Sequence, residues 1–403
     1  MPPREPLFSV VARDPQSRAR AGMLRTAHGI IETPALFAVA TKASIKALPV
    51  WLWEAAGVQA VVVNTYHLLL APGADRVASL GGVHQFAQIP TPVFSDSGGF
   101  QAFSLGVAFG RSVSKVVRSQ EAADGSRASS SAQNGALSRI TNDGVQFRSH
   151  RDGSVHLLTP EASIRVQHLL GSDLIVALDE CTDPLAPREY QEEALARTHR
   201  WLAQSIAAHQ QFAPETRRRL GWTPALYGVV QGGRYEELRR ESARFVGKQE
   251  VDAIAIGGSF DAGDIQSAVR WVVEELPESK PRHLLGIGEP EDIRAAVREG
   301  VDTFDCVQPT RLARHGIAYG PNLTRLNLRN ARYREDSAPL DPTCRCMTCR
   351  SGFSRAYLAH LVREREMAAA TYLTLHNLFA LNRLLREERQ RILSLGRSND
   401  SAA

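Results

Sequence analysis

No apolar stretch in this 403-residue chain reaches the roughly 20 residues that a bilayer-spanning helix needs, so nothing in it reads as a membrane segment. Met1 to Val10 carry Arg4, Glu5 and three prolines and lack the apolar core of a secretory leader, so a cytoplasmic protein is expected. Cysteine is scarce. There are five, three of them crowded between Cys344 and Cys349, which argues against a disulfide framework and for a metal site. Lysine is absent from Arg311 to Arg397, yet that segment holds sixteen arginines against seven acidic residues in a chain whose net charge is +5. Arginine forks onto phosphates and stacks on bases, so the segment is a candidate nucleic-acid surface, with a solvated helical face as the competing reading. At 43% hydrophobic and 23% charged residues the composition is ordinary for a globular protein, and the length suits one large domain or two medium ones.

Eight short apolar segments recur: Ala35 to Thr41, Val58 to Asn64, Pro92 to Asp96, Asp173 to Asp179, Ala225 to Gln231, Val251 to Gly257, Arg282 to Ile287 and Val301 to Cys306. Their β-branched content and lack of alternation fit strands buried on both faces, and helix-patterned stretches such as Arg188 to Gln210 lie between several of them. That order predicts an α/β fold of the (β/α)8 TIM-barrel type, with a doubly wound open sheet as the competitor. Barrel sites sit at the carboxyl ends of the strands, which puts Asn64, Asp96, Asp179, Gln231, Gly257, Gly286 and Asp305 on one rim. Ser119 to Ser138, rich in Ser, Ala and Gly, is expected to be a disordered insertion, and Gly396 to Ala403 a frayed tail.

Three motifs carry chemistry. Cys344, Cys346 and Cys349 precede a long amphipathic stretch holding His360 and His376; three thiolates and one imidazole make a tetrahedral zinc site with no position left for water. Spacing leaves open which histidine completes it. In Phe94-Ser-Asp-Ser-Gly-Gly-Phe-Gln101 a strand ends in an acid and opens into two glycines that let a ligand approach the backbone, with Phe100 as a stacking surface. In Phe304-Asp-Cys-Val-Gln-Pro-Thr-Arg-Leu-Ala-Arg-His315 a carboxylate at a strand end meets Arg311 and Arg314. Such a carboxylate can attack a sugar anomeric carbon while the arginines hold phosphates, although a buried Asp–Arg pair is equally available. The remaining rim residues match a purine edge: Asp179 can accept from N–H groups of guanine, and Gln231 and the amides of Gly257-Gly258 can donate to its O6.

SDSGGFQ, LDECT, VVQGG, AIGG, DCVQPTRLARHG, the CxCxxC cluster and Leu375-His376-Asn377-Leu378, in this order from Gly29 to Ile392, resemble the tRNA-guanine transglycosylase family, bacterial queuosine-pathway branch. The resemblance implies Asp305 as the nucleophile on C1′ of the wobble guanosine and Asp96 as general acid/base. It implies Ser97, Phe100, Asp179, Cys181, Gln231, Gly257, Gly258 and Leu285 around the base, Arg311 and Arg314 toward RNA, and one structural zinc per subunit on Cys344, Cys346, Cys349 and His376. It further implies a homodimer that exchanges guanine in GUN-anticodon tRNAs for a free 7-deazaguanine base. The organisation expected is a barrel over 1–310 containing the insertion 119–138, a zinc-binding, arginine-rich subdomain with helices completing the barrel over 311–395, and a tail over 396–403. Cys181 favours 7-aminomethyl-7-deazaguanine over queuine, since the eukaryotic-type pocket commonly has valine there. Three positions depart from the bacterial pattern: Ser259-Phe260-Asp261, where Leu, a small residue and Val are usual; Leu285, where Met is common; and one extra residue near Ser351-Gly352. A noncatalytic RNA-binding paralogue would lack the nucleophile, an archaeal-type enzyme would carry a C-terminal extension, and a metal-dependent barrel hydrolase would pair histidines at strand ends, near which only His67 lies.

Overall fold

All eight apolar segments form strands. We label them β1 (Ala35–Val39), β2 (Ala60–Val63), β3 (Val93–Ser95), β4 (Leu174–Val176), β5 (Ala225–Val230), β6 (Ala253–Ile256), β7 (Arg282–Leu284) and β8 (Thr303–Cys306). The computed structural model describes residues 6–102, 116–117, 138–183, 185–258, 260–261 and 264–400. The strands pair in chain order, all parallel, and β8 returns to β1 with Thr303 beside Ala35 and Asp305 beside Phe37. That pairing closes a barrel and excludes the open doubly wound sheet.

Alternation along each strand decides what faces where. Ala35 and Phe37 of β1, Phe94 of β3, Tyr227 of β5 and Ala253 of β6 fill the interior, while Leu36, Ile175, Leu226 and Ile254 pack outward against helices. An antiparallel sheet of Phe8–Arg13, Arg20–Thr26 and Gly29–Thr33 adds Phe8, Leu24 and Ile31 to the interior cluster. It plugs the end at which the strands begin and leaves the carboxyl ends open.

Between β1 and β2 the expected helix is replaced by two short turns, Val50–Leu52 and Glu54–Ala56. The C-terminal helix Met367–Asp400 fills the gap: Asn382 donates to the Ala56 carbonyl at 3.1 Å, and Arg389 to the Gly22 and Thr33 carbonyls at 2.8 and 2.6 Å. The same helix runs from Met367 to Asp400, into the segment expected to be a frayed tail. At Gly396 it packs on the N-terminal sheet so closely that a Cβ there would stand 3.0 Å from the Ala12 Cβ. Residues 401–403 lie outside the described residues, as does the predicted insertion except for Ser138, which opens the antiparallel sheet Ser138–Ile140, Val145–Arg148, Val155–Leu158. Among the described residues no helix is long and apolar enough to cross a membrane.

Candidate active site

The carboxyl ends of the strands surround a cavity of about 590 Å3. Asp96, just past β3, accepts hydrogen bonds from the Asn64 side-chain amide at 2.5 Å and from the backbone N–H groups of Thr65 and Gly98 at 2.9 and 3.1 Å. Asn64 also caps the helix Thr65–Leu70 by accepting from His67 N–H, so that cap fixes the carboxylate's principal side-chain donor. Burial nevertheless pushes the Asp96 carboxyl up to about 7, the nearby Asp305 charge adding to it against the three donors. A carboxyl poised there can both give and take a proton near neutrality.

Asp305 lies on β8. One oxygen accepts from Gly286 N–H at 2.8 Å and faces His283 Nε2 at 3.1 Å, while His283 Nδ1 stands 2.9 Å from the Thr303 hydroxyl. Since an ionised carboxylate only accepts, Nε2 carries the hydrogen of that contact. His283 is fully buried and stacks on Phe94 at 4.8 Å between ring centres, so the ring cannot swing away.

Another part of the cavity wall is built from residues at the ends of β4, β5 and β6. Gln231 donates to Asp179 at 2.7 Å, and the Ser97 hydroxyl lies 3.5 Å from the other Asp179 oxygen. Glycine is required beside them: a Cβ on Gly257 would come within 2.5 Å of the Gln231 amide nitrogen, and Gly258 has φ +121°. The structure brings Asp96, Ser97, Phe100, Asp179, Cys181, Gln231, Gly257, Gly258, Leu285 and Asp305 to this one cavity, with Arg311 at its edge. Arg314 is not part of the lining; it is exposed and donates to the Thr310 carbonyl. Apolar walls with a few convergent polar groups suit a flat heterocycle, and two carboxylates in unequal surroundings suit proton transfer beside nucleophilic attack.

The family model described as queuine tRNA-ribosyltransferase matches residues 14–397. The chain is 45% identical over 399 residues to a queuine tRNA-ribosyltransferase of Thermus thermophilus, covering 98% of this chain and 92% of that one. It is 44% identical over 390 residues to one of Herpetosiphon aurantiacus, covering 96% and 89%. One of Roseiflexus is 40% identical over 398 residues, covering 96% of both chains. The chain belongs to the queuine tRNA-ribosyltransferase family.

Away from the cavity, this member of the family gathers Cys344, Cys346, Cys349 and His376, a group that can hold a metal ion. The three sulfurs lie 3.7, 3.4 and 3.4 Å from His376 Nδ1. An ion bonded tetrahedrally to sulfur at about 2.3 Å and nitrogen at about 2.0 Å separates such ligand pairs by roughly 3.5 Å. His376 Nε2 donates to the Tyr319 carbonyl at 2.6 Å, which fixes the tautomer and leaves the Nδ1 lone pair for the ion. His360, the other histidine left open by spacing, is exposed on the helix Arg355–Arg363. The arginine-rich segment is less free than its composition implies, because Arg325, Arg355, Arg383, Arg389 and Arg391 form ion pairs with Glu289, Asp336, Asp341, Glu32 and Asp14.

Sequence reasoning passed over two residues that bear on the site. His283 sits within an apolar strand segment, where a lone histidine gives no signal, and the count of histidines near strand ends left it out. Arg239, on the helix Glu236–Gly247, reads in sequence as one more surface charge but is fully buried behind the loops after β5 and β6.

Proposed function

We propose that this chain is a tRNA-guanine transglycosylase that exchanges guanine at the wobble position of GUN-anticodon tRNAs for 7-aminomethyl-7-deazaguanine. The observation that carries the proposal is the pair Asp96 and Asp305 at one rim of a cavity whose other wall offers a purine-edge donor and acceptor set. An Asp305 oxygen attacks C1′; the C1′–N9 bond breaks, its electron pair leaves with the purine, and the Asp96 carboxyl supplies a proton to the departing guanine. The incoming base then returns that proton balance by giving its N9 hydrogen to Asp96, and its nitrogen displaces Asp305 from C1′. Two inversions give retention, and no energy source is consumed.

The roles follow from surroundings. Gly286 N–H and His283 hold one Asp305 oxygen and so orient the carboxylate that attacks the sugar. Asp179 accepts from the purine's N1 and N2 hydrogens, Gln231 and Gly258 N–H donate to O6, Cys181 lies beside the base, and Phe100 and Leu285 cover its faces. Ser97 supports Asp179. Arg311, with Arg314 farther out, meets the RNA backbone. The ion for Cys344, Cys346, Cys349 and His376 is zinc, one per subunit. With four protein ligands it holds the subdomain together and activates no water. A cytoplasmic homodimer acting on tRNA and a free base completes the reading.

The test is direct: purified protein alone, incubated with an unmodified GUN tRNA and radiolabelled guanine, should incorporate label at the wobble position and nowhere else. Failure to incorporate, or incorporation that requires a second subunit, contradicts the proposal. Competition between 7-aminomethyl-7-deazaguanine and queuine should favour the former, and preference for queuine would assign the chain to the queuine-inserting members of the family instead.

A further inference from the structure

The base-recognition loops after β5 and β6 share one support that the reaction itself does not touch. Arg239, with none of its surface exposed, donates through Nε to the Gly233 carbonyl at 2.6 Å and through Nη1 to the Gly257 carbonyl at 3.2 Å. One helical turn on, the Ser242 hydroxyl accepts from Gln231 N–H at 3.2 Å. The helix Glu236–Gly247 therefore holds the backbone of both loops from behind.

A trans peptide is planar, with its C=O and N–H pointing in opposite directions. The Gly257 carbonyl points at Arg239, which is not part of the cavity wall, whereas Gly257 and Gly258 are. The N–H of Gly258, on the far side of the same peptide, is thereby turned into the cavity. Gly258 also lacks room for any side chain, since a Cβ there would lie 2.4 Å from an Arg239 nitrogen. The guanidinium can reach the carbonyl only because residue 258 is glycine.

We propose that Arg239 is a positioning residue for purine recognition: it orients the Gly257–Gly258 peptide so that its N–H donates to the purine O6, and its positive charge, acting through that peptide, strengthens the donor as charge builds on the departing base. A cation on the carbonyl side of an amide polarises it, and the effect is large in a site that excludes water. Burial pushes the Arg239 guanidinium down to about 10, which leaves it protonated at neutral pH.

The proposal rests on the reading of Gly258 as the amide facing the base, and the experiment separates the two. Guanine and 2-aminopurine, which lacks O6 and with it the N1 hydrogen, are compared as competitive ligands of the whole enzyme, alongside kcat and the KM for tRNA. Wild type should bind guanine at least about 10-fold more tightly than 2-aminopurine; equal binding would remove the O6–amide contact itself and with it the inference. In Arg239→Gln that ratio should fall about 3-fold or more, toward the share owed to the contact of Asp179 with N1–H, and kcat drop about 10- to 100-fold, with KM for tRNA unchanged. Arg239→Lys, which keeps a cation but reaches one carbonyl instead of two, should restore part of both and serves alone if the glutamine variant does not fold. An unchanged ratio in a folded Arg239 variant of an exchanging enzyme overturns the inference while leaving the proposed function intact. Absence of guanine exchange in wild type overturns the function first. A purely structural role would lower all parameters together and leave the ratio alone, and that result also counts against it.

Discussion

The two ends of the barrel both carry aspartates at strand termini, and they treat them in opposite ways. At the end where strands begin, Asp173 faces His28 Nδ1 at 2.8 Å and His84 Nε2 at 3.0 Å and accepts from Val93 N–H at 2.9 Å. Burial alone would push its carboxyl up, but the hydrogen bonds from His28 and His84 more than reverse this and hold it well below the usual carboxylate range. Asp302, fully buried at the same end, takes a two-pronged bond from Arg20 at 2.9 and 2.6 Å. At the other end Asp96 has neutral donors and a second carboxylate, and sits near 7. Histidine partners hold Asp173 ionised and tie elements together, whereas at Asp96 neutral donors beside a like charge leave the proton free to move. One end is structural and the other is poised for chemistry.

That contrast can be broken in four places. Asp305→Asn removes the proposed nucleophile and should lower guanine exchange by about 10^4-fold or more at nearly unchanged melting temperature. Asp96→Asn should cost about 10^2- to 10^4-fold in exchange, and it carries a second signature in stability. A carboxyl raised in the folded state supports folding fully at acid pH and loses that contribution as pH rises through about 7. The melting temperature of the variant relative to wild type should therefore be higher at pH 8 than at pH 5, and equal differences at both would place the Asp96 proton elsewhere. His283→Phe keeps the buried ring stack but removes the donor to Asp305. It should lower kcat about 10- to 100-fold and leave the KM for tRNA alone, as measured by steady-state exchange. Asp173→Asn should do the reverse, costing about 3 kcal/mol in denaturant unfolding with exchange within a few-fold of wild type. If it impaired exchange as severely as Asp96→Asn, the division between the two ends would be lost.

The strands were legible because a parallel strand buried on both faces needs consecutive β-branched residues, and few other structures do. The cavity was legible for a related reason: Asp96, Asp179, Gln231 and Asp305 each end such a strand, and closure of the barrel brings strand ends together. What stayed hidden depends on distance in the chain. That C-terminal helices complete the barrel was expected from the family resemblance alone, and the missing β1–β2 helix itself leaves only the short turns Val50–Leu52 and Glu54–Ala56. Arg239 and His283 act through partners 18 and 22 residues away, and neither changes the pattern of its own element. Arg311 and Arg314 look alike in sequence, but three residues of helix put one at the cavity and the other outside it.

The unequal roles of the two carboxylates meet their most direct test in a denaturing gel of enzyme mixed with a GUN tRNA. Wild type should give a slower, denaturation-resistant band of protein joined to RNA, and Asp305→Asn should give none under conditions where it still binds the tRNA. A covalent band from folded Asp305→Asn would contradict the assignment of the nucleophile and, with it, the division of labour between Asp305 and Asp96.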